Sequence, residues 1–207
     1  MSTFPFPTVG RAPSDCNVRY AANTDVRRSP LNGAIQTLKR SRGYWVIDYS
    51  YRNLTNAERQ ILSAWLANLD GMRHRFTSAV PGSLNTGAYG GTPLVAGADQ
   101  TGNTINIDGA SPSVTGWANA GDYLSFGGQL KMVTADVNTD GGGAASIPVT
   151  PEFATAPADN AAVLEADWAG TGTGQFVLQQ NSVSWSTVPG RDGHRTNLTF
   201  SAIEDVT

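Results

Sequence analysis

Cysteine occurs once in 207 residues, as Cys16, so the chain can form neither an internal disulfide nor a cysteine-based zinc site. Histidine occurs twice, as His74 and His194, too few for a histidine metal cluster. No stretch approaches the roughly 18–20 consecutive apolar residues of a membrane-spanning helix. The opening segment MSTFPFPTVGRAP has no basic region followed by an apolar run, so no signal peptide is expected. The most informative scarcity is of positive charge: residues 81–170 hold one lysine, Lys131, and no arginine.

That stretch carries nine Asp+Glu and 15 of the 23 glycines, whereas residues 1–80 carry eleven Lys+Arg against five Asp+Glu. So sharp a break predicts two folding units of different surface character, with opposite faces of neighbouring copies able to attract each other. The length suffices for one good core or two small ones, since domains cluster near ~100–150 residues. A hydrophobic content of 40% with 15% charge describes a soluble folded protein, and its Gly, Thr and Asn favour strands and turns. An acidic balance, with a pI near 5.3, argues against a general nucleic-acid binder; the basic first block leaves a local polyanion contact open.

Residues 1–30 are broken by Pro5, Pro7, Pro13 and Pro30 and read as an arm or edge strands. From Arg42 to Tyr51 the chain alternates, with Trp45, Ile47, Tyr49 and Tyr51 on one face, which predicts a half-buried strand; residues 35–39 form a shorter partner strand before it. Thr55 and Glu58 then fit a helix capping box. Ala57, Ile61, Leu62, Trp65, Leu66 and Leu69 follow at helical spacing, and Gly71 is placed to end the helix. Met72, His74, Phe76 and Ser78 alternate as the next strand. The acidic stretch offers short strands at Thr104–Asp108, Asp122–Phe126, Gln129–Val137 and Ala145–Val149, with Phe126-Gly127-Gly128-Gln129 shaped as a two-residue hairpin turn. This spacing suggests a small barrel or sandwich, with Pro148, Pro151 and Pro157 marking an irregular return. Phe176 and Leu178, continued by Val183 and Trp185, and then Leu198, Phe200 and Ala202 after a Pro189-Gly190 turn, return to the alternating pattern of the first eighty residues. The expected organisation is a discontinuous outer domain, residues 1–80 plus 171–207 with a helix over 55–70, interrupted by an acidic Gly-rich β domain at 81–170. The fold class is mainly β with one amphipathic helix (α+β).

Few residues invite chemistry. His74 lies between Arg73 and Arg75 on an alternating strand and reads as a packed or surface residue. His194 stands beside Asp192, but no Gly-x-Ser-x-Gly elbow supplies a nucleophile. The run Gly170-Thr171-Gly172-Thr173-Gly174 lacks the Gly-Lys-Ser/Thr ending of a phosphate loop and reads as a flexible linker. Asp136, Asn138 and Asp140 echo a calcium loop without its final glutamate. Asp99, Asp108, Asp122 and Asp136 occur among the aromatics Tyr89, Trp117, Tyr123 and Trp168, which makes those four candidate glycan contacts, although no carboxylate pair is selected by spacing. Arg27, Arg28, Lys39, Arg40 and Arg42 form a basic set able to contact an acidic protein surface. No catalytic, metal-ligating or cofactor-binding residue is expected.

Residues 28–80, with the aromatic strand Gly43-Tyr44-Trp45-Val46-Ile47, a helix opened by Thr/Asn-x-x-Glu and a strand ending in Pro81-Gly82, resemble the distal tail protein group, tail-tip proteins of long-tailed bacteriophages. Gly121-Asp122-Tyr123-Leu124 resembles a strand of the inserted domain in that group. The resemblance implies a tube-like β-sandwich or barrel domain with one flanking helix and a peripheral inserted β domain. It implies a structural virion protein made in the bacterial host cytoplasm, and a ring, usually a hexamer. That ring would join the tail-tube protein to the tail hub or receptor-binding proteins, without catalysis, membrane insertion or specific nucleic-acid binding. The alternative is a carbohydrate-binding adhesion module working through the inserted domain.

Overall fold

The computed structural model describes residues 1–40, 42–188 and 195–205, and the Pro189-Gly190 turn, Asp192 and His194 lie outside them. In chain order the elements are β1 (Thr3–Pro5), β2 (Asp15–Ala21), β3 (Thr24–Arg28), β4 (Ile35–Lys39), β5 (Tyr44–Leu54), α1 (Asn56–Asn68), β6 (Arg75–Ser78) and β7 (Gly91–Val95). They continue with β8 (Gly102–Ala110), β9 (Tyr123–Phe126), β10 (Gln129–Val133), β11 (Ala145–Phe153), β12 (Val163–Glu165), β13 (Gly174–Leu178), β14 (Trp185–Val188) and β15 (Arg195–Glu204). Among the described residues the chain is mainly β with a single helix.

One sheet takes strands from both ends of the chain, in the order β1-β6-β13-β15-β5-β2, with β14 also on β15. All its pairs are antiparallel except β1 with β6. Strand β15 anchors it, pairing with β5 on one side and with β13 and then β14 on the other. Val183 does not continue β13: the chain leaves the ladder after Leu178 and returns at Trp185. The alternation on β5 does what its period predicts. Trp45, Ile47, Tyr49 and Tyr51 all enter one core, and Tyr49 stacks on its cross-strand partner Phe200 at 4.8 Å between ring centroids.

Helix α1 covers that face. The Thr55 side chain accepts from the Glu58 N–H while the Glu58 carboxylate accepts from the Thr55 N–H at 2.7 Å, so the capping box forms as the sequence predicts. Leu62, Trp65 and Leu66 are buried, whereas Ile61 is 45% exposed and stands off the packed face. Trp65 meets Phe6, Phe76 and Phe200 and donates its indole N–H to the Pro5 carbonyl, which satisfies its polar edge. Burial of such a side chain stabilises by roughly 1.5–3 kcal/mol. The left-handed turn beyond the C-cap Leu69 begins at Asp70, at φ +50°, and Gly71, expected from the sequence to end the helix, follows it at φ +65°.

The second sheet, β12-β9-β10-β11-β8-β7, is antiparallel. Its two ends meet: Leu94 bridges Ala162, the Val95 N–H donates to Ala161 O and the Asn160 N–H to Val95 O, both at 2.9 Å. The sheet therefore curls into a small barrel with a lightly bonded seam between β7 and β12. Gly127 and Gly128 have φ +59° and +84° between paired Phe126 and Gln129, the geometry that a two-residue hairpin demands.

Other sequence expectations change: β6 begins at Arg75, so Met72 and His74 precede the strand, and β10 ends at Val133 rather than Val137. Residues 35–39 form a strand, but its partner is β3 rather than the aromatic strand β5; β3 and β4 make a separate two-stranded ribbon. Pro148 and Pro151 lie inside β11, where the register shifts between Pro148 and Phe153, because a bulged strand tolerates residues without an N–H. The Gly170–Gly174 run is a packed connection rather than a free linker. The Gly172 N–H donates to Glu165 O at 2.6 Å, and a Cβ on Gly170 or Gly172 would collide with that same oxygen.

Candidate functional site

The basic residues occupy two different settings. Arg27, Arg28, Lys39 and Arg40 belong to the β3–β4 ribbon and its edge, which stands outside both sheets and is exposed along nearly its whole length. Opposed residues of a ladder share a face, so Val26/Thr37 and Arg28/Ile35 point one way and Asp25/Leu38 and Arg27/Gln36 the other. Val26, Leu31, Ile35 and Leu38 are 60%, 96%, 66% and 64% exposed. Asp25 pairs with Arg40 at 2.7 Å and Arg27 at 3.7 Å, and Lys39 reaches the barrel to pair with Glu152 on β11 at 2.6 Å. Arg28 makes no ion pair among the described residues.

Arg42, by contrast, is half-buried where the sheet meets the barrel. Its charge acts there on two buried groups, Glu204 of β15 and Lys131 of β10. Glu204 accepts from the backbone N–H groups of Trp45 and Leu130, stitching β15, β5 and β10 together. Burial pushes its carboxyl above the ordinary range, against the pull of Lys131. Lys131 is fully buried, donates to the Glu152 carbonyl at 3.3 Å and lies 4.7 Å from the centre of the Phe153 ring. Burial pushes its ammonium down to about 8.

The four aromatics do not form one platform. Trp117 is 1% exposed in the barrel core, edge-on to Tyr89 at 5.2 Å. Tyr123 faces away from them, onto Trp45 of the sheet at 5.5 Å. Trp168 is 43% exposed and meets none of the other three rings. Tyr89 and Trp117 do line a common cleft of about 560 Å³ at the barrel seam, together with Pro93, Leu94, Glu165 and Asp167. Among the described residues no lysine or arginine lines it. Burial and the neighbouring charges of Asp167 and Asp122 push the Glu165 carboxyl up.

Asp122, Asp136 and Asp140 accept hydrogen bonds that order the backbone around them. Asp122 accepts from the N–H groups of Thr86, Gly87 and Asn119, from Thr86 Oγ1 and from the Tyr89 hydroxyl, and so organises the segment that leads from the sheet into the barrel. Burial alone would raise its pKa, but these donors outweigh it and hold the carboxyl below its usual range. Asp136, Asn138 and Asp140 each accept from backbone N–H groups of nearby turns. His74 Nδ1 accepts from the Ser2 N–H at 3.1 Å, and its ring packs on Phe4. Cys16 is half-buried; burial, reinforced by Asp15, pushes its thiol up to about 11, which disfavours the nucleophilic thiolate. The cleft was missed by sequence reasoning because it depends on closure of β7 against β12, neither of which carries a strong alternating pattern.

Comparison with protein-family models and with curated proteins finds no match to this chain. Among the described residues no helix is long and apolar enough to cross a membrane.

Proposed function

We propose that this chain is a structural protein of a phage tail tip that works by assembly, forming a distal-tail or baseplate ring between the tail tube and the hub or receptor-binding apparatus. The observation that carries the reading is the basic β3–β4 ribbon. It stands outside both sheets and exposes four large aliphatic side chains, and an isolated two-stranded ribbon is marginal in water without a partner. A sheet flanked by one helix and a second, acidic β unit agree with the sequence resemblance. Self-association through opposite charges predicts rings or stacks in negative-stain class averages that dissociate as salt rises. A chain that stays monomeric at high concentration and low salt would overturn the reading.

The seam cleft supports a second reading, a saccharide-binding barrel with Tyr89 at the cleft and the exposed Trp168 beside it. A glycan-array signal abolished by Trp168→Ala would favour it; Trp117 is too buried to offer a ring face.

A further inference from the structure

The ribbon and the seam cleft complement each other in three respects. The ribbon is apolar and basic, with Val26, Ile35 and Leu31 beside Arg28, which makes no ion pair among the described residues. The cleft is apolar and acidic, with Leu94, Glu165 and Asp167 lining it. Leu164, 40% exposed, also lines it, and Trp168, 43% exposed, lies in the chain between the lining residues Asp167 and Ala169. The third respect is position. Lys39 ties the base of the ribbon to β11, which stands three strands from β12 around the six-stranded barrel. By register Lys39 shares its face with Val26 and Ile35, so that face is held towards β11 at its base and stays exposed further out at Val26 and Ile35, two strands from β7 and three from β12.

We infer that the β3–β4 ribbon of one copy docks on the β7–β12 seam of a second copy, its Val26/Ile35 face covering the cleft mouth and Arg28 pairing with Glu165. The inference rests on the self-assembly reading and names its surface. Such a contact is heterologous, joining two different patches, so repetition closes into a ring or runs on as a filament. Opposite charge sets partner and register, while the aliphatic side chains supply buried area.

A charge exchange tests it. Arg28→Glu and Glu165→Arg alter exposed positions, and unchanged circular dichroism verifies folding. In sedimentation velocity each single variant is expected to weaken self-association about tenfold or more, because like charges then face each other, and the double variant is expected to restore it. In a Cys16→Ser background, chains carrying Ile35→Cys and chains carrying Leu164→Cys should cross-link with each other on oxidation. Single variants that assemble like the parent chain, without cross-linking, overturn the docking surface and leave the assembly reading standing. A parent chain that never self-associates overturns both. Saccharide bound in the cleft of assembled protein overturns the docking alone, since the ribbon would have to occupy that space.

Discussion

The helix-bearing sheet and the glycine-rich barrel solve the same problem of burial with different materials. The sheet has large aromatics on a long alternating strand and a helix laid over them, so its core centres on Trp65, Tyr49, Phe76 and Phe200. The barrel has short strands and many glycines and buries aliphatics by curling on itself, with Trp117 and Phe126 as its largest core residues. They are not independent, because β10 serves both. Leu130 belongs to the sheet's core and Met132 packs against it, while Val133 belongs to the barrel's. A strand whose two faces enter two cores makes the folding of either unit contribute to the other. The acidic unit also keeps its one lysine fully buried, where the charge of Glu204 acts on it, so its outer surface carries no basic side chain among the described residues.

The sharpest way to break this comparison is Trp65→Ala, expected to cost about 3–5 kcal/mol as a large-to-small core change. With β10 shared, thermal unfolding should remain one transition at lower temperature in calorimetry; two separated transitions would show the units to be independent. Next comes Asp122→Ala, which strips five donors of their acceptor where the sheet hands over to the barrel and should cost about 3 kcal/mol in urea unfolding.

A pH series probes the joint itself. Lys131 titrates near 8 when folded against an ordinary 10.5, so the unfolded chain binds more protons between those values. Stability should therefore rise as pH climbs from 8 towards 9, above which Cys16, with its thiol raised from 9.0 to about 11, opposes it, and Lys131→Met should abolish the rise. Glu204 acts oppositely: its carboxyl is raised in the folded protein, so its contribution is complete below the ordinary 4.5 and lost as pH rises through the folded value. Smaller still is Thr55→Ala, which removes the helix cap and should cost about 1 kcal/mol in the sheet unit. Lys39→Ala should change stability by less than about 1 kcal/mol, since the Lys39–Glu152 pair is largely exposed, but it should loosen the ribbon's anchorage in hydrogen exchange.

Much of the sheet unit was readable because its signals are local. The alternation from Trp45 to Tyr51, the Thr55/Glu58 box and the spacing of Leu62, Trp65 and Leu66 each lie within a few residues. The barrel was readable where a turn announced itself, at Gly127-Gly128, and unreadable where closure decided. β7 and β12 are short, and Pro93 interrupts the first of them. Pro148 and Pro151 looked like breakers because their bulge is defined by the neighbouring β8. The candidate contacts divided in the same way. Four basic residues sit together because a ribbon is local, while Arg42 turned inward; Tyr89 and Trp117 met in the barrel, whereas Tyr123 packs on Trp45 of the sheet and Trp168 is exposed.

By itself the sequence determined the elements whose instructions are near neighbours in the chain: the capped helix, the aromatic strand, the glycine turn and the segregation of charge. Tertiary structure alone decided that β3 and β4 leave both sheets, that the barrel closes at a cleft, and that Lys131 and Glu204 are both buried within reach of each other's charge. Each of those outcomes depends on which distant backbone groups find partners, and pairing between residues far apart in the chain leaves no periodic trace in either segment.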